Sequence, residues 1–304
     1  MSDPYLDAVL TASASVRPGD AITDPELARS VAAQMVRPDA YAVPSVPMRP
    51  DAAPGPHGPV PVRVYGDPAS LGPVLVWCHG GGWLGGDLDM GEADGTAREV
   101  VARTGGIVVS VDYRLCLGVH YPVPLDDVEA SFRWACEQWP ASRVSLGGAS
   151  AGANLAAGLC VRLRDSGGMP ASLLLAYPLV HPVLPPLSAE LEQKTAPLSA
   201  LLAFGPELLT ALVENYLGGP LSDAPGEAMP GLAAVDGFPR TLIVNDEHDA
   251  LRASGEAFAT QLVAAGVTVE LACEPGVVHG HLNQVWSDQA QSTLDRMGDW
   301  LRLS

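Results

Sequence analysis

The feature that most constrains the fold is an alternation, beginning near residue 74, of short runs apolar at nearly every position with longer helical stretches. The runs cover residues 74–78, 106–111, 144–146, 172–176, 241–244 and 267–271. The stretches between and after them include 91–103, 124–136, 151–164, 254–265 and 288–303. A strand that is apolar on both faces must be covered on both, which happens in a parallel sheet whose crossovers are helices. The pattern therefore predicts an α/β fold with a mostly parallel, doubly wound central sheet and helices on both faces.

The apolar share of the 304 residues, 47%, is enough to cover such a sheet. No run of about 18 apolar residues exists that could span a bilayer. Ahead of the sheet, residues 1–45 read as an N-terminal helical cap segment, with helices over 4–13 and 24–35; Asp24 is placed to cap the second, with Pro25 as its first residue. Residues 43–61 are rich in proline and glycine and read as a linker into an edge strand at 61–65. The alternation breaks once more: residues 182–231 are too long for a simple crossover and hold apolar helical material of their own at 198–204 and 206–217. They read as an inserted helical cap, which leaves a core in two parts, 46–181 and 232–304.

Charge removes several classes of partner. A formal net charge of −18 repels phosphate backbones and anionic lipid, so neither nucleic acid nor a membrane surface is expected, and a small neutral molecule is the natural ligand. Lys194 is the one lysine among 17 basic residues, so the chain has neither a Ser-x-x-Lys dyad nor a Walker GK[ST]. Cys78, Cys116, Cys136, Cys160 and Cys273 are odd in number and widely spaced with no CxxC, which fits reduced thiols rather than a disulfide framework or a zinc ribbon. Asp3 and Asp7 stand where a secretory signal would be basic and then apolar, and a cytoplasmic location is expected. A homo-oligomer is compatible with the sequence.

Two motifs carry chemistry. Gly148-Ala149-Ser150-Ala151-Gly152 is a G-x-S-x-G between the run 144–146 and the stretch 151–164. A serine on a strained strand-to-helix turn needs small neighbours so that the backbone can bend and leave Oγ exposed, and the helix that follows points its positive end at developing negative charge. Taken alone, the motif could equally be a packing loop. His79-Gly80-Gly81-Gly82-Trp83 follows the run ending at Cys78, and its consecutive glycines can aim backbone N–H groups at an oxyanion. Gly80-Gly81-Gly82-Trp83-Leu84-Gly85 also satisfies the dinucleotide fingerprint G-x-G-x-x-G. That fingerprint requires a helix at once and an acid about 20 residues on, whereas the helix here starts late, near Gly91, Asp112 lies too far along, and Ser150 would be left unexplained.

A serine hydroxyl needs a base, and the base needs an acid to hold its tautomer. The segment Pro275-Gly276-Val277-Val278-His279-Gly280-His281 ends one run, and Asn245-Asp246-Glu247-His248-Asp249-Ala250-Leu251-Arg252 follows another. The order serine, acid, histidine is that of the α/β-hydrolases. A metal pair at His279-x-His281 lacks companion ligands, and neither a metal nor a cofactor is expected.

With these blocks in hand, the chain resembles the bacterial hormone-sensitive-lipase-like carboxylesterases of the α/β-hydrolase fold, from about residue 60 onward. The matching blocks are HGGGW at 79–83, Asp112-Tyr113-Arg114-Leu115 with 121–127, the serine elbow, and 247–252 with the late His-Gly. The resemblance implies Ser150, Asp249 and His279 as the triad, and Gly81, Gly82 and Ala151 as oxyanion donors. It implies a serine carboxylesterase acting on small, short-chain or aryl esters through an acyl-enzyme. An amidase or acyltransferase would use the same triad. The alternative of another class is a ligand-binding protein on the same fold, like the plant gibberellin receptors, which lack the histidine present here as His279. Trp83, Leu201, Leu202, Phe204, Leu208 and Leu209 are candidates for the acyl or aryl pocket, with plain packing an equal reading for each. The chain departs from the family pattern at Ala149, at Cys116-Leu117-Gly118, at Ala253-Ser254 and at His281. These departures bear on the pocket and on the groups behind the triad, hence on the substrate.

Overall fold

Each apolar run forms a strand, and together they build one mixed sheet with helices on both faces. The computed structural model describes residues 41–164, 166–198 and 202–303; the helices expected at 4–13 and 24–35, and Leu201, lie outside them. The strands are β1 (Met48–Ala53), β2 (Val60–Tyr65), β3 (Val74–Cys78), β4 (Ile107–Val111), β5 (Val144–Ala149), β6 (Leu173–Ala176), β7 (Thr241–His248) and β8 (Val269–Val278). The helices are α1 (Thr96–Thr104), preceded by a π turn over Gly91–Gly95, α2 (Val123–Gln138), α3 (Ala151–Arg164), α4 (Ala189–Thr195), α5 (Pro206–Leu217), α6 (Arg252–Ala264) and α7 (Asp288–Arg302).

The strand order is β1-β2-β4-β3-β5-β6-β7-β8; β2 runs against both its neighbours, so the β1–β2 and β2–β4 pairings are antiparallel and the other pairings are parallel. Because strand side chains alternate, each strand feeds two cores. Val74, Val76 and Cys78 pack with Leu125, Phe132, Leu155, Leu159, Phe258 and Leu262 of α2, α3 and α6. Leu75 and Trp77 pack with Ala97, Val100, Leu294, Met297 and Leu301 of α1 and α7. From β3 the chain moves first to β4 on one side and later to β5 on the other. In such sheets ligands bind at this reversal, outside the carboxyl ends of the strands, which here are those of β3 and β5. Among the described residues no helix is long and apolar enough to cross a membrane.

The structure corrects the reading of residues 43–61 as a linker. Met48–Ala53 is a strand paired along its length with β2, so β1 is the edge and β2 is covered. Pro50 hid it: proline removes a ladder donor, which an outermost strand tolerates because one side of its backbone has no neighbour. Two further strands are longer than their apolar runs. β7 continues through the polar residues Asn245-Asp246-Glu247-His248, and β8 extends through Pro275 to Val278. Residues 202–204 form a turn rather than a helix, and α5 starts at Pro206.

The turn between β5 and α3 leaves no room at its glycines. A Cβ on Gly152 would lie 2.2 Å from the Cys78 carbonyl oxygen, and one on Gly148 would lie 2.4 Å from the Gly152 carbonyl carbon. Both are contacts with backbone, which cannot rotate away. Gly152→Ala is therefore expected to destabilise the protein by about 3 kcal/mol or more, measured as a fall in thermal midpoint, whereas Ala153→Gly in the same helix should cost only about 1 kcal/mol.

Candidate active site

Ser150 sits between the last residue of β5 and the first of α3 with φ +52°, a left-handed conformation that costs a non-glycine residue about 1–3 kcal/mol. Its N–H donates to the Ala176 carbonyl at the end of neighbouring β6 (2.9 Å), and its carbonyl accepts from Asn154 N–H (3.1 Å), which fixes the bend from both sides. The side chain is thereby lifted off the sheet, where it remains partly exposed although Ala149 and Ala151 are buried.

Its Oγ lies 2.9 Å from Nε2 of His279, the first residue after β8. Nδ1 of the same ring lies 2.6 Å from Oδ2 of Asp249, the first residue after β7. β7 and β8 are parallel neighbours, so the extension of both past their apolar runs delivers the acid and the imidazole to one place. A carboxylate only accepts, so Nδ1 carries the ring proton and Nε2 offers its lone pair to the serine. Asp249 is fully buried, and its Oδ1 accepts Leu251 N–H (2.9 Å). Burial pushes its carboxyl above the usual range, against the pull of His279 and of that N–H. Burial alone would lower the His279 pKa. The Asp249 carboxylate, with Asp246 and Glu92 farther off, outweighs burial and raises it, so this imidazole is a stronger base than a free one.

The glycine loop after β3 lies directly beside the serine: a Cβ on Gly80 would stand 3.1 Å from Ser150 Cβ. Gly81 and Gly82 both have positive φ, +106° and +61°. The Gly80 N–H is already used, donating to Glu92 Oε1 (2.7 Å), while Tyr177 OH donates to Glu92 Oε2 (2.8 Å). A buried carboxylate needs such donors, and Glu92 in the π turn therefore ties the glycine loop to the end of β6. The Asp112-Tyr113-Arg114 block supports the loop from behind. Tyr113 stacks on His79 (centroids 4.5 Å, 18°) and its OH donates to the His79 carbonyl (2.8 Å). Arg114 is ion-paired to the fully buried Asp127, which also accepts Arg114 N–H (2.9 Å).

The cap candidates are placed unequally. Phe204, at φ +47°, meets the His279 ring edge-on (4.6 Å, 69°). Trp83 is fully buried and lies flat against Tyr216 of α5 (4.4 Å, 5°), joining the glycine loop to that helix. Leu208 and Leu209 are buried on α5, with Leu209 in the core, and Leu202 is half-buried in the turn before it. Sequence reasoning missed Leu212, whose Cδ2 lies 3.2 Å from where a Gly82 Cβ would be, and also Tyr216 and Glu92. The apolar spacing of α5 is visible in the sequence, but the face it turns toward the glycine loop depends on how the helix docks. Lys194 of α4 is ion-paired to Glu247, which also accepts Gly276 N–H (2.7 Å), so the lone lysine fastens α4 to β7 and β8, the strands that lead to Asp249 and His279.

His281 makes no direct hydrogen bond to Ser150, His279 or Asp249. It is fully buried and pairs with Asp246, also fully buried, at 2.6 Å. Donor atoms of Asp246, Asp249 and His279 lie within 4.8 Å of one another, the geometry of a small cation site, but each is engaged in these hydrogen bonds. Of the atypical residues, Ser254 accepts Val180 N–H (3.0 Å) and contacts His181 Nδ1 (2.9 Å) through its hydroxyl.

A sequence profile of the α/β hydrolase fold matches residues 75–283. Carboxylesterase NlhH of Mycobacterium tuberculosis is 39% identical over 236 residues, covering 74% of this chain and 72% of that protein. Esterase LipI of the same organism is 35% identical over 242 residues, covering 75% and 72%. The crystal structure of EstE1, a thermostable carboxylesterase from a metagenomic library, superposes with a TM-score of 0.76 at 27% identity, covering 95% of this chain and 98% of that one.

Proposed function

The chain belongs to the hormone-sensitive-lipase-like carboxylesterases of the α/β-hydrolase fold, and on that premise we propose that it hydrolyses small carboxylic esters, short-chain or aryl, through an acyl-enzyme on Ser150. The observation that carries the proposal is the unbroken line of hydrogen bonds from Ser150 Oγ through both nitrogens of His279 to Asp249. His279 Nε2 takes the hydroxyl proton as Ser150 Oγ bonds to the ester carbonyl carbon. The N–H groups of Gly81, Gly82 and Ala151 receive the oxyanion, and the glycine loop lies against the serine as that role requires. Collapse of the tetrahedral species breaks the bond to the alcohol, which leaves with the proton from His279. Water activated by the same nitrogen then releases the acid and regenerates the serine. Asp249 keeps the ring in the Nδ1–H tautomer and stabilises its cationic form.

Residues 182–231 serve as the cap in this proposal, with Phe204 and Leu212 bounding the substrate. A cytoplasmic location belongs to the same reading, supported by five free cysteines. A panel of acyl and aryl p-nitrophenyl esters assayed against pH tests it. The base works only when neutral, and its pKa is raised, so kcat/KM should fall on acidification through a midpoint above that of free imidazole, about 6.5. A rate that stays flat to pH 4 overturns the histidine base, and no turnover of any ester overturns the substrate class.

A further inference from the structure

We propose that Asp246, His281 and Thr293 form a second hydrogen-bonded line that positions His279 from behind, so that the buried His281 is a positioning residue of the reaction. The inference rests on the assignment of His279 as base. Asp246 uses both carboxylate oxygens. Oδ1 receives His281 Nδ1 at 2.6 Å, and Oδ2 accepts Gly280 N–H at 2.9 Å. That N–H belongs to the peptide bond joining His279 to Gly280, so the carboxylate grips the backbone from which the base projects. On the far side, His281 Nε2 lies 2.8 Å from Thr293 Oγ1 on α7. A ring that gives its Nδ1 proton to a carboxylate presents Nε2 as an acceptor, and the threonine hydroxyl fills that need.

Asp246, His281 and Thr293 are all fully buried. A buried carboxylate stays in place only where its oxygens are satisfied. His281 therefore holds Asp246, Asp246 holds the His279–Gly280 peptide, and α7 holds His281. Tyr177 forms a common wall, its ring edge-on to both imidazoles (5.0 Å and 5.4 Å between centroids). Gly280 has φ +88°, which glycine adopts without strain, so its own backbone preference does not fix the loop and the bond to Asp246 supplies a constraint. Packing alone would be met by an aromatic ring at 281, but such a ring leaves Asp246 Oδ1 without a donor.

The test compares His281→Phe, which keeps a ring and removes the donor, with His281→Asn, whose amide nitrogen can stand where Nδ1 stands. His281→Phe is expected to lower kcat about tenfold or more with KM within about twofold, because a misplaced base slows chemistry without changing ester binding. His281→Asn should recover kcat to within about threefold of the wild type. A folded His281→Phe enzyme with wild-type kcat overturns the proposal, as does equal loss in both variants, which would mean that ring packing alone matters. If His281→Phe does not fold, Asp246→Asn decides: a tenfold loss in kcat supports the line, whereas unchanged kcat or a second failure to fold reduces it to a structural pair. Ser150→Ala run alongside separates the two levels, since retained activity there removes the ester-hydrolase reading itself.

Discussion

Replacing Ser150 with alanine is expected to lower kcat toward a short-chain p-nitrophenyl ester by about five to six orders of magnitude while leaving the fold intact. In the proposed mechanism the hydroxyl is the atom to which the acyl group bonds, and among the described residues no other side-chain hydroxyl bonds to Nε2 of His279. Residual turnover would come from the oxyanion donors and from substrate positioning acting on water. The fold should survive because the elbow is held by backbone, through Ser150 N–H to Ala176 and Asn154 N–H to Ser150, and alanine keeps both bonds. Ser150→Gly should be equally inactive and more stable by roughly 1 kcal/mol, since glycine adopts φ +52° without strain. Activity within tenfold of the wild type in either variant, with thermal melting confirming a folded protein, would remove Ser150 from the mechanism.

Asp249→Asn should cost about four orders of magnitude in kcat at neutral pH, and the surroundings say why an isosteric change is so damaging. One oxygen of Asp249 accepts Leu251 N–H and the other accepts from His279. The asparagine oxygen must keep the Leu251 bond, because its NH₂ would face another donor there. The NH₂ is thereby turned toward His279 Nδ1, which must present a lone pair. The ring proton moves to Nε2, where it faces Ser150 and cannot accept the hydroxyl proton. Loss of only a fewfold would mean that Asp249 serves packing rather than tautomer selection. The loss should be accompanied by little change in KM, because neither atom of the exchange touches the ester.

The sheet could be read from sequence because Val74–Cys78 and its counterparts are apolar on both faces, a burden only a doubly covered strand carries. The same rule failed at Met48–Ala53, where an exposed edge lacks the signal and Pro50 contradicts it. It also failed at the ends of β7 and β8, because strand residues that hold acids and bases are polar by necessity. The meeting of Ser150, His279 and Asp249 was legible as chain order and motif. Glu92, Leu212 and the Asp246–His281 pair were not, since each owes its position to elements that meet only when the sheet, the π turn and the cap are assembled. His281 stands out as an unusual residue after His-Gly, but its partner Asp246 is one of three acidic residues in the segment 245–252, and nothing in the sequence pairs the two.

The strand order also governs how the protein is born. The serine, the glycine loop and the helix behind them are complete by residue 164, within contiguous β3, β4 and β5. The proposed acid and base come from β7 and β8, translated only after the cap has emerged and placed at the opposite margin of the sheet. If Ser150 and His279 act as proposed, a nascent chain carries its nucleophile well before it owns a base, and the hydroxyl has no partner to activate it. On the same roles, hydrolytic activity would report finished folding, appearing when the last parallel strand docks.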